Sequence, residues 1–269
     1  MNNKIWSMLS INGEKVDREI AVAFLDDIYS GIYETDTQSH IYFENPNKKN
    51  IEEIIFNYSN INDLCWSEVK NKDWNEKWRP FFKNLNIDDR VMVVPSWETD
   101  IDCDDKIVLK IEPGMAFGTG HHETTSMMIS AILKYFKDDF SVLDVGAGSG
   151  ILSILAQKLG SAKVDALDND PDIENNFEDN MRLNHSSINL KIEDCLGWNN
   201  FDYDLILANI NYPILEKFVQ NISNKNNLLI LSGILISDII NLKEIINDRK
   251  FEVIDTIKQN EWACLIVKT

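Results

Sequence analysis

The motif D-x-G-x-G-x-G at residues 144–150 contains the residues whose types and spacing most clearly suggest chemistry. It ends the strand-like segment 141–145 and precedes the apolar run 151–156, which predicts a buried strand, a glycine turn and the start of a helix. Glycines such as Gly146 and Gly148 allow a positive φ and let a ligand lie against the main chain where a Cβ would intrude. The motif therefore predicts that a cofactor binds at this turn.

Asp168 is the second candidate for contact with that cofactor. The helix that starts at Ile151 is expected to stop at Gly160, and residues 162–167 are typical of a second strand with Asp168 just past its carboxyl end. A carboxylate at this position can accept hydrogen bonds from both hydroxyls of a ribose. We therefore expect the cofactor to contain a ribose.

The spacing of the glycines separates two classes of cofactor. Dinucleotide-binding folds use G-x-G-x-x-G, in which a helix N-terminus faces a pyrophosphate. The pattern D-x-G-x-G-x-G instead resembles motif I of the class I S-adenosylmethionine-dependent methyltransferases, whose ligand has an adenosine and a methionine but no phosphate. A glycine loop by itself is also compatible with a simple tight turn, and the acid at Asp168 is what favours a cofactor site.

Composition limits the class of protein. A chain of 269 residues is long enough for one large and one small domain. The cysteines are far apart and form no C-x-x-C pair, which favours reduced thiols over a zinc site or disulfides: Cys65, Cys103, Cys195 and Cys264. The N-terminus lacks a basic region followed by an apolar run, and the apolar run 228–236 is far shorter than the ~20 residues of a membrane span. We therefore expect a cytoplasmic protein without a membrane partner.

The formal net charge of −18 distinguishes between kinds of partner. Phosphate backbones bind through Lys and Arg side chains that release counterions, so a strongly acidic chain is a poor match for direct contact with nucleic acid. The same charge attracts a basic protein. We expect a basic protein partner, although acidity can also serve solubility alone.

Two domains and a connecting helix are predicted. Residues 1–70 alternate in the order strand, helix, strand, strand, helix, strand, which is typical of a small α+β ferredoxin-like domain. They show no obvious catalytic constellation, so a binding module is the favoured role. Residues 71–86 predict a linker helix with Asp73 as its N-cap and a kink at Pro80. Residues 87–269 would then form the catalytic domain.

The catalytic domain is expected to be α/β, with strands at 90–95, 106–111, 141–145, 162–167, 189–192, 204–209, 228–231, 251–257 and 263–267. The last two strands predict a hairpin at the sheet edge. Ligand sites in open parallel sheets lie at the carboxyl ends of the strands, where Asp144, Asp168 and Asn209 fall. Asn209 alone would be equally compatible with a turn or cap residue. The convergence of all three is what predicts a site.

The glycine-rich passage 112–125 precedes a predicted helix and is expected to lie beside the cofactor strand. Such a loop can close over a ligand, with Phe117 offering an aromatic face and Thr125 a hydroxyl. The His-His-Glu sequence at residues 121–123 suggests a metal site as an alternative. Adjacent histidines do not easily chelate one ion and no third ligand cluster is visible, so we expect no metal.

Four motifs occur in a family-specific order: G-M-A-F-G-T-G-H-H-E-T-T at residues 114–125, the glycine loop at 144–150, D-N-D-P at 168–171 and A-N-I at 208–210. Together they resemble the ribosomal protein L11 methyltransferase family (PrmA). The resemblance covers about residues 74–262. It is specific because the A-F-G-T-G passage does not belong to the generic methyltransferase fold.

The resemblance implies a class I methyltransferase domain with a mostly parallel seven-stranded sheet. It further implies transfer of methyl groups from S-adenosylmethionine to amino groups, the N-terminal α-amine or lysine ε-amines, of a ribosomal protein of the large subunit. Thr125, Gly146, Asp168 and Asn209 fall on the family's cofactor contacts. Asn209 is also placed to orient the amine, which makes it the expected catalytic residue, and Asp194 is expected near the adenine.

Two alternatives remain open at this point. The sequence N-I-N-Y at residues 209–212 can be read as a degenerate N-P-P-Y motif, which would indicate glutamine or adenine methylation. Both prolines are missing, and the charge disfavours nucleic acid. The other alternative is a non-catalytic regulator that binds S-adenosylmethionine.

Overall fold

A computed structural model of the chain describes residues 5–23, 25, 29, 31–35, 37–44, 46–61, 63–70, 82–103, 105–113, 117–120, 122–223 and 226–269. The chain divides into two compact units, Met1–Phe81 and Phe82–Thr269. Each unit is described by itself.

The first unit is a four-stranded antiparallel sheet with two helices. Its elements are β1 Ile5–Asn12, α1 Lys15–Ala23, β2 Gly31–Glu34, β3 Gln38–Phe43, α2 Lys48–Tyr58 and β4 Asp63–Lys70. The strand order is β2-β3-β1-β4, and every pairing is antiparallel. The predicted order of strands and helices is confirmed, and the topology is ferredoxin-like.

Alternation in β1 explains how this unit forms a core. Leu9 and Ile11 are fully buried and pack in one cluster with Ile51 and Ile55 of α2. Successive residues of a strand point to opposite faces, whereas residues four apart on a helix share a face. Alternate residues of β1 and residues four apart on α2 therefore bring apolar side chains to one interface.

The second unit is an α/β domain. Its strands are β5 Leu85–Ile87, β6 Val91–Pro95, β7 Ile107–Ile111, β8 Ser141–Val145, β9 Lys163–Asp168, β10 Asn189–Ile192, β11 Leu205–Asn209, β12 Leu228–Leu235, β13 Glu252–Gln259 and β14 Trp262–Lys268. Its helices are α3 Glu123–Tyr135, α4 Ile151–Lys158, α5 Glu174–Leu183, α6 Tyr212–Asn221 and α7 Ile239–Asp248. Short 3-10 turns occupy Pro171–Ile173, Cys195–Gly197 and Ile236–Asp238.

Seven strands form the main sheet, in the order β10-β9-β8-β11-β12-β14-β13. The first five are parallel, and β14 and β13 complete the sheet as an antiparallel hairpin. A separate apolar cluster packs on each face, and Leu205–Ala208 of β11 are completely buried. The mostly parallel seven-stranded sheet and its edge hairpin are thus as predicted. No helix in the described part of the chain is long and apolar enough to span a membrane.

The predicted linker helix over residues 71–86 is wrong at its carboxyl end. Residues 85–87 form the strand β5, which pairs with β6, and β6 pairs in parallel with β7 in a separate three-stranded sheet. Leu85 and Ile87 alternate with the polar Asn86, and Ile87 is buried. That alternation favours a strand over a helix. Residues 71–81, with the predicted cap and kink, lie outside the described residues.

Two asparagines of α5 tie the helix to β7 and to the glycine turn. Asn180 accepts a hydrogen bond from the Glu112 N–H at 2.7 Å, and its amide donates to the Ser149 carbonyl at 2.8 Å. Asn184, one turn further along, accepts from the Lys110 N–H at 3.0 Å and donates to the carbonyl of the same residue at 2.6 Å. These hydrogen bonds satisfy backbone N–H and C=O groups that face the helix and, within the residues that the structure describes, have no neighbouring strand to pair with.

Replacing Asn180 with alanine should lower the free energy of unfolding by roughly 2–4 kcal/mol, because two backbone groups lose their partner and an unsatisfied buried group costs ~1–3 kcal/mol. Asn180 is completely buried. The exposed Asn175 of the same helix provides the matched control, with an expected change within ~0.5 kcal/mol for Asn175→Ala. Urea denaturation measures both variants, and equal losses would contradict the bridging role.

Candidate active site

The register of three neighbouring strands brings the predicted site residues together. Val145 at the end of β8 pairs with Leu167 of β9 on one side and with Ala208 of β11 on the other. The next residues of those two strands, Asp168 and Asn209, therefore flank the turn that follows β8. The structure thus gathers them at the carboxyl ends of adjacent parallel strands.

The three glycines of the turn have left-handed backbone, whereas Ala147 and Ser149 between them do not. The φ angles of Gly146, Gly148 and Gly150 are 69°, 51° and 78°. A Cβ on Gly146 would lie 2.3 Å from Cγ2 of Ile210, and one on Gly148 would lie 2.5 Å from the carbonyl oxygen of Phe117. The glycines are therefore required by the packing of the chain itself, in addition to any room they leave for a ligand.

Asp168 is held rigidly beside this turn. Its Oδ2 accepts a hydrogen bond from the Gly148 N–H at 2.9 Å, and its Oδ1 accepts from the Asp170 N–H at 3.0 Å. An ionised carboxylate has about four acceptor sites, so both oxygens keep capacity for a ligand. The two backbone donors fix the orientation of the carboxylate and therefore of its remaining acceptor sites.

Asp168 borders a hollow of about 320 Å³, which we call the acid-lined hollow; its walls are Gly146, Leu167, Asp168, Asn169, Glu193, Asp194, Cys195, Ile210 and Ile214. Burial and the charge of Asp194 raise the pKa of the Cys195 thiol to about 11, so this wall stays neutral near pH 7. Carboxylates on one side and neutral apolar groups on the other suit a nucleoside, whose ribose is polar and whose base is flat. Asp194, expected near an adenine, lies in the same hollow as Asp168.

Asn209 carries a buried amide oxygen that lacks a protein partner. Its Nδ2 lies 3.5 Å from Oγ1 of Thr125, a fully buried residue of α3. Its Oδ1 has no hydrogen-bond partner among the described residues. Leaving such an atom unpaired costs ~1–3 kcal/mol, which makes this oxygen a candidate acceptor for a ligand N–H.

A second hollow, of about 500 Å³, opens on the other side of Ile210; we call it the aromatic hollow, and its walls are Phe117, His122, Thr124, Asn209, Ile210, Asn211, Gly233 and Trp262. The His122 ring lies 5.3 Å from the ring of Phe117 and 4.9 Å from that of Trp262, edge to face in both cases. Ile210 belongs to both hollows. Asn209 therefore lies beside the residue that separates them.

His122 is a neutral member of this wall. It caps α3, with Nδ1 accepting the Thr124 N–H at 3.3 Å. Burial lowers the pKa of His122, and the charge of Glu123 offsets this only in part. Because Nδ1 acts as an acceptor, the proton of the neutral ring is assigned to Nε2.

Asp144, unlike Asp168 and Asp194, does not contribute to a ligand-accessible wall. It is buried, lines neither of the two hollows, and its Oδ2 accepts a hydrogen bond from the Ser153 hydroxyl at 2.6 Å. Burial, with a smaller contribution from the charge of Asp168, raises the pKa of Asp144 to about 6. Its position at the strand end was predicted correctly, whereas its carboxylate serves the packing of α4 against β8.

The raised pKa of Asp144 predicts a measurable pH dependence of stability. Between its unfolded value near 3.8 and about 6, the folded state binds more protons than the unfolded state, so this carboxyl lowers stability as the pH rises through that window. A shift of about two units corresponds to about 3 kcal/mol. The free energy of unfolding of wild type minus that of Asp144→Asn should therefore fall by about this amount from pH 4 to pH 7.

Urea denaturation across this pH range measures that difference. The control is Asp202→Asn at an exposed carboxylate, whose difference from wild type should stay nearly constant. A constant difference for Asp144→Asn as well would contradict the buried, destabilising carboxylate.

Metal binding finds no support in the described residues, where no group of three His, Cys, Asp or Glu side chains is placed to hold an ion. His121, one member of the His-His-Glu sequence, lies outside those residues. His122 instead caps a helix and packs between two aromatic rings.

The sheet order, the glycine turn after β8 and the acid after β9 define a class I S-adenosylmethionine-dependent methyltransferase. The residues present fit that cofactor, because the acid-lined hollow combines the Asp168 carboxylate with apolar walls that suit an adenosine, and Ile210, which follows Asn209, is one of those walls. A family model described as ribosomal protein L11 methyltransferase (PrmA) matches residues 11–269. The chain belongs to this family, which confirms the resemblance seen in the sequence.

Individual relatives agree with that assignment. A ribosomal protein L11 methyltransferase of Caldicellulosiruptor saccharolyticus is 37% identical over 237 residues, covering 82% of this chain and 78% of the relative. A ribosomal protein L11 methyltransferase of Clostridium botulinum (strain Alaska E43) is 33% identical over 267 residues, covering 98% of this chain and 84% of the relative. A crystal structure of a ribosomal protein L11 methylase from Lactobacillus delbrueckii subsp. bulgaricus superposes with a TM-score of 0.63 at 28% identity, covering 69% of this chain and 98% of that one.

Proposed function

We propose that this protein transfers methyl groups from S-adenosylmethionine to amino groups of ribosomal protein L11, at its N-terminal α-amine or at lysine ε-amines. The observation that carries this proposal is the buried Oδ1 of Asn209, which has no partner among the described residues and belongs to a residue that lines the aromatic hollow. An amide oxygen accepts an N–H and carries no charge, so it suits a neutral amine. Family membership supports the choice of substrate.

The acid-lined hollow is proposed to hold the cofactor, whose sulfonium supplies an activated methyl group. The Asp168 carboxylate would accept hydrogen bonds from the ribose hydroxyls, with its own orientation fixed by the Gly148 N–H. Gly146 brings main chain to the wall of the same hollow. Phe117 and Thr125 are proposed as further cofactor contacts from the loop and helix that adjoin Asn209.

The aromatic hollow is proposed to receive the amine. A methyl acceptor must be unprotonated, and an α-amine with a pKa of ~7.7–8.0 loses its proton more easily than a lysine at ~10.4. Desolvation disfavours the charged form of an amine, so a wall of Phe117, Trp262 and neutral His122 lowers the cost for either target. The N-terminus remains the easier substrate.

Asn209 is proposed to orient the amine for reaction. Its Oδ1 accepts one N–H and so directs the nitrogen lone pair, which accelerates transfer by alignment. An amide cannot take up the proton, and His122 is already committed through Nδ1 as acceptor and Nε2 as the protonated nitrogen. Water is therefore our proposed proton acceptor.

The domain roles complete the proposal. Residues 1–70 are proposed to recognise the substrate, residues 71–81 to link, and the second unit, Phe82–Thr269, to catalyse. The formal charge of −18 favours a basic ribosomal protein of the large subunit as partner over direct contact with nucleic acid. We also propose that the enzyme acts in the cytoplasm, which suits a substrate of this kind.

Incubation with methyl-labelled S-adenosylmethionine and total unmethylated ribosomal proteins tests the function. We expect label in ribosomal protein L11, on amino groups, after separation and peptide mapping. Label on a glutamine side chain or on RNA would favour the N-P-P-Y alternative. No label despite measurable binding of the cofactor would favour the non-catalytic regulator.

A further inference from the structure

Three exposed aliphatic side chains lie at or just after the carboxyl end of β12, where Leu235 pairs with a wall residue of the aromatic hollow, and we call them the apolar rim. Leu235, Ile236 and Ile240 are 39%, 37% and 69% exposed. Leu235 pairs with Trp262, a wall of the hollow, and the Ile236 N–H donates to the Glu261 carbonyl at 2.8 Å. Ile240 lies four residues beyond Ile236, in the first turn of α7. Single exposed aliphatic residues are ordinary, whereas adjacent ones beside a ligand site mark a surface for binding.

Carboxylates lie close to the apolar rim. Asp238 stands between Ile236 and Ile240, Glu244 follows Ile240 by one turn of α7, and Glu216 follows Tyr212 by one turn of α6. Burial first, and then these negative charges, raise the pKa of Tyr212. Tyr212 follows Asn211, which lines the aromatic hollow. This edge of the site therefore combines aliphatic groups with concentrated negative charge.

We infer that the apolar rim and its neighbouring carboxylates bind the segment of the substrate protein that flanks the target amine, by an aliphatic side chain beside a basic one. The inference rests on the proposed function and adds a specificity surface to it. The catalytic unit would thereby read local sequence around each target.

The charges on this surface favour a basic segment over a second copy of the chain. Two copies would bring Glu216, Asp238 and Glu244 toward carboxylates of the same sign, and each copy carries a formal charge of −18. Like charges across an interface suppress association, whereas a Lys- or Arg-bearing segment is attracted. The aliphatic groups then supply contact area that charge alone does not.

The double variant Ile236→Ser/Ile240→Ser tests the rim with intact ribosomal protein L11 as substrate. We expect KM for L11 to rise about tenfold, kcat to stay within about twofold, and affinity for S-adenosylhomocysteine to remain unchanged. The matched control is Ile254→Ser, since Ile254 is a 41% exposed aliphatic residue of β13. It lies in the opposite half of that strand from Gln259, the partner of Trp262. Its KM should equal that of wild type.

A charge variant tests the carboxylates separately. Glu244→Gln should raise KM for L11 about twofold to fivefold at low ionic strength, and the difference should vanish near 0.5 M salt because exposed charges are screened there. The control is Glu252→Gln at an exposed carboxylate of β13. Its KM should follow that of wild type at both salt concentrations.

The outcomes separate this inference from the proposed function. Transfer to L11 by wild type together with an unchanged KM for the double variant would overturn the rim and leave the function intact. A wild-type dimer in sedimentation that the double variant loses would assign the rim to self-association, and so overturn the inference. Absence of transfer to L11 by wild type would overturn both.

Discussion

Replacing Asn209 with alanine lowers kcat for methyl transfer to ribosomal protein L11 by roughly 10²-fold, because misplacement of a reacting group by even ~1 Å can cost that much. The lost contact is the one that directs the amine lone pair. KM for L11 should change by less than about threefold, since the substrate protein binds through many other groups. Steady-state kinetics with purified L11 measure both quantities.

Asn211→Ala is the control for this variant. Asn211 lines the same hollow and makes no side-chain hydrogen bond at the start of α6. Its kcat should remain within about threefold of wild type. If Asn209→Ala also keeps kcat within a factor of about two, Asn209 holds Thr125 and the strand end in place and does not orient the amine.

Replacing Asp168 with alanine weakens binding of S-adenosylmethionine by tenfold to a hundredfold, because charge-assisted hydrogen bonds contribute ~1.5–3 kcal/mol each. Two losses combine in this variant. The ribose hydroxyls lose their acceptor, and the N–H groups of Gly148 and Asp170 lose the oxygens that they contact at 2.9 and 3.0 Å. Isothermal titration calorimetry with S-adenosylhomocysteine measures the change.

The matched control for Asp168 is Asp172→Asn, which removes an exposed charge four residues away that does not line the acid-lined hollow. Its affinity should match that of wild type. Thermal unfolding without ligand shows whether Asp168→Ala keeps its fold. Unchanged affinity in a folded Asp168→Ala would rule out the ribose role.

Much of the fold is predictable because its signals are local. Strand β11 is apolar throughout and the structure buries it on both faces, as expected for a parallel strand with helices on each side. Strand β5 is different, since three residues with one central asparagine carry too little periodicity to outweigh a neighbouring helical pattern. Helix α7 also escaped prediction, as did the bonds of Asn180 and Asn184 to β7, which depend on tertiary contact.

The site residues were likewise predictable only where the sequence signal is local. Asp168 and Asn209 each end a recognisable strand, and the rule for parallel sheets then places them at one edge. Phe117 was expected to offer an aromatic face, whereas the contribution of Trp262 was missed, because Trp262 reaches His122 only through the position of β14 beside β12. The position of Asp144 in the motif was recognised from the sequence. Its burial against Ser153 was not predicted, because it depends on tertiary contact.

A crystal structure with S-adenosylhomocysteine bound tests the central claim most directly, namely that Asp168, the glycine turn and Asn209 form one methyl-transfer site. We expect the ribose hydroxyls on the Asp168 carboxylate, the base in the acid-lined hollow, and the sulfur facing the aromatic hollow beside Asn209. A ligand bound elsewhere, or one whose sulfur points away from Asn209, would contradict the account.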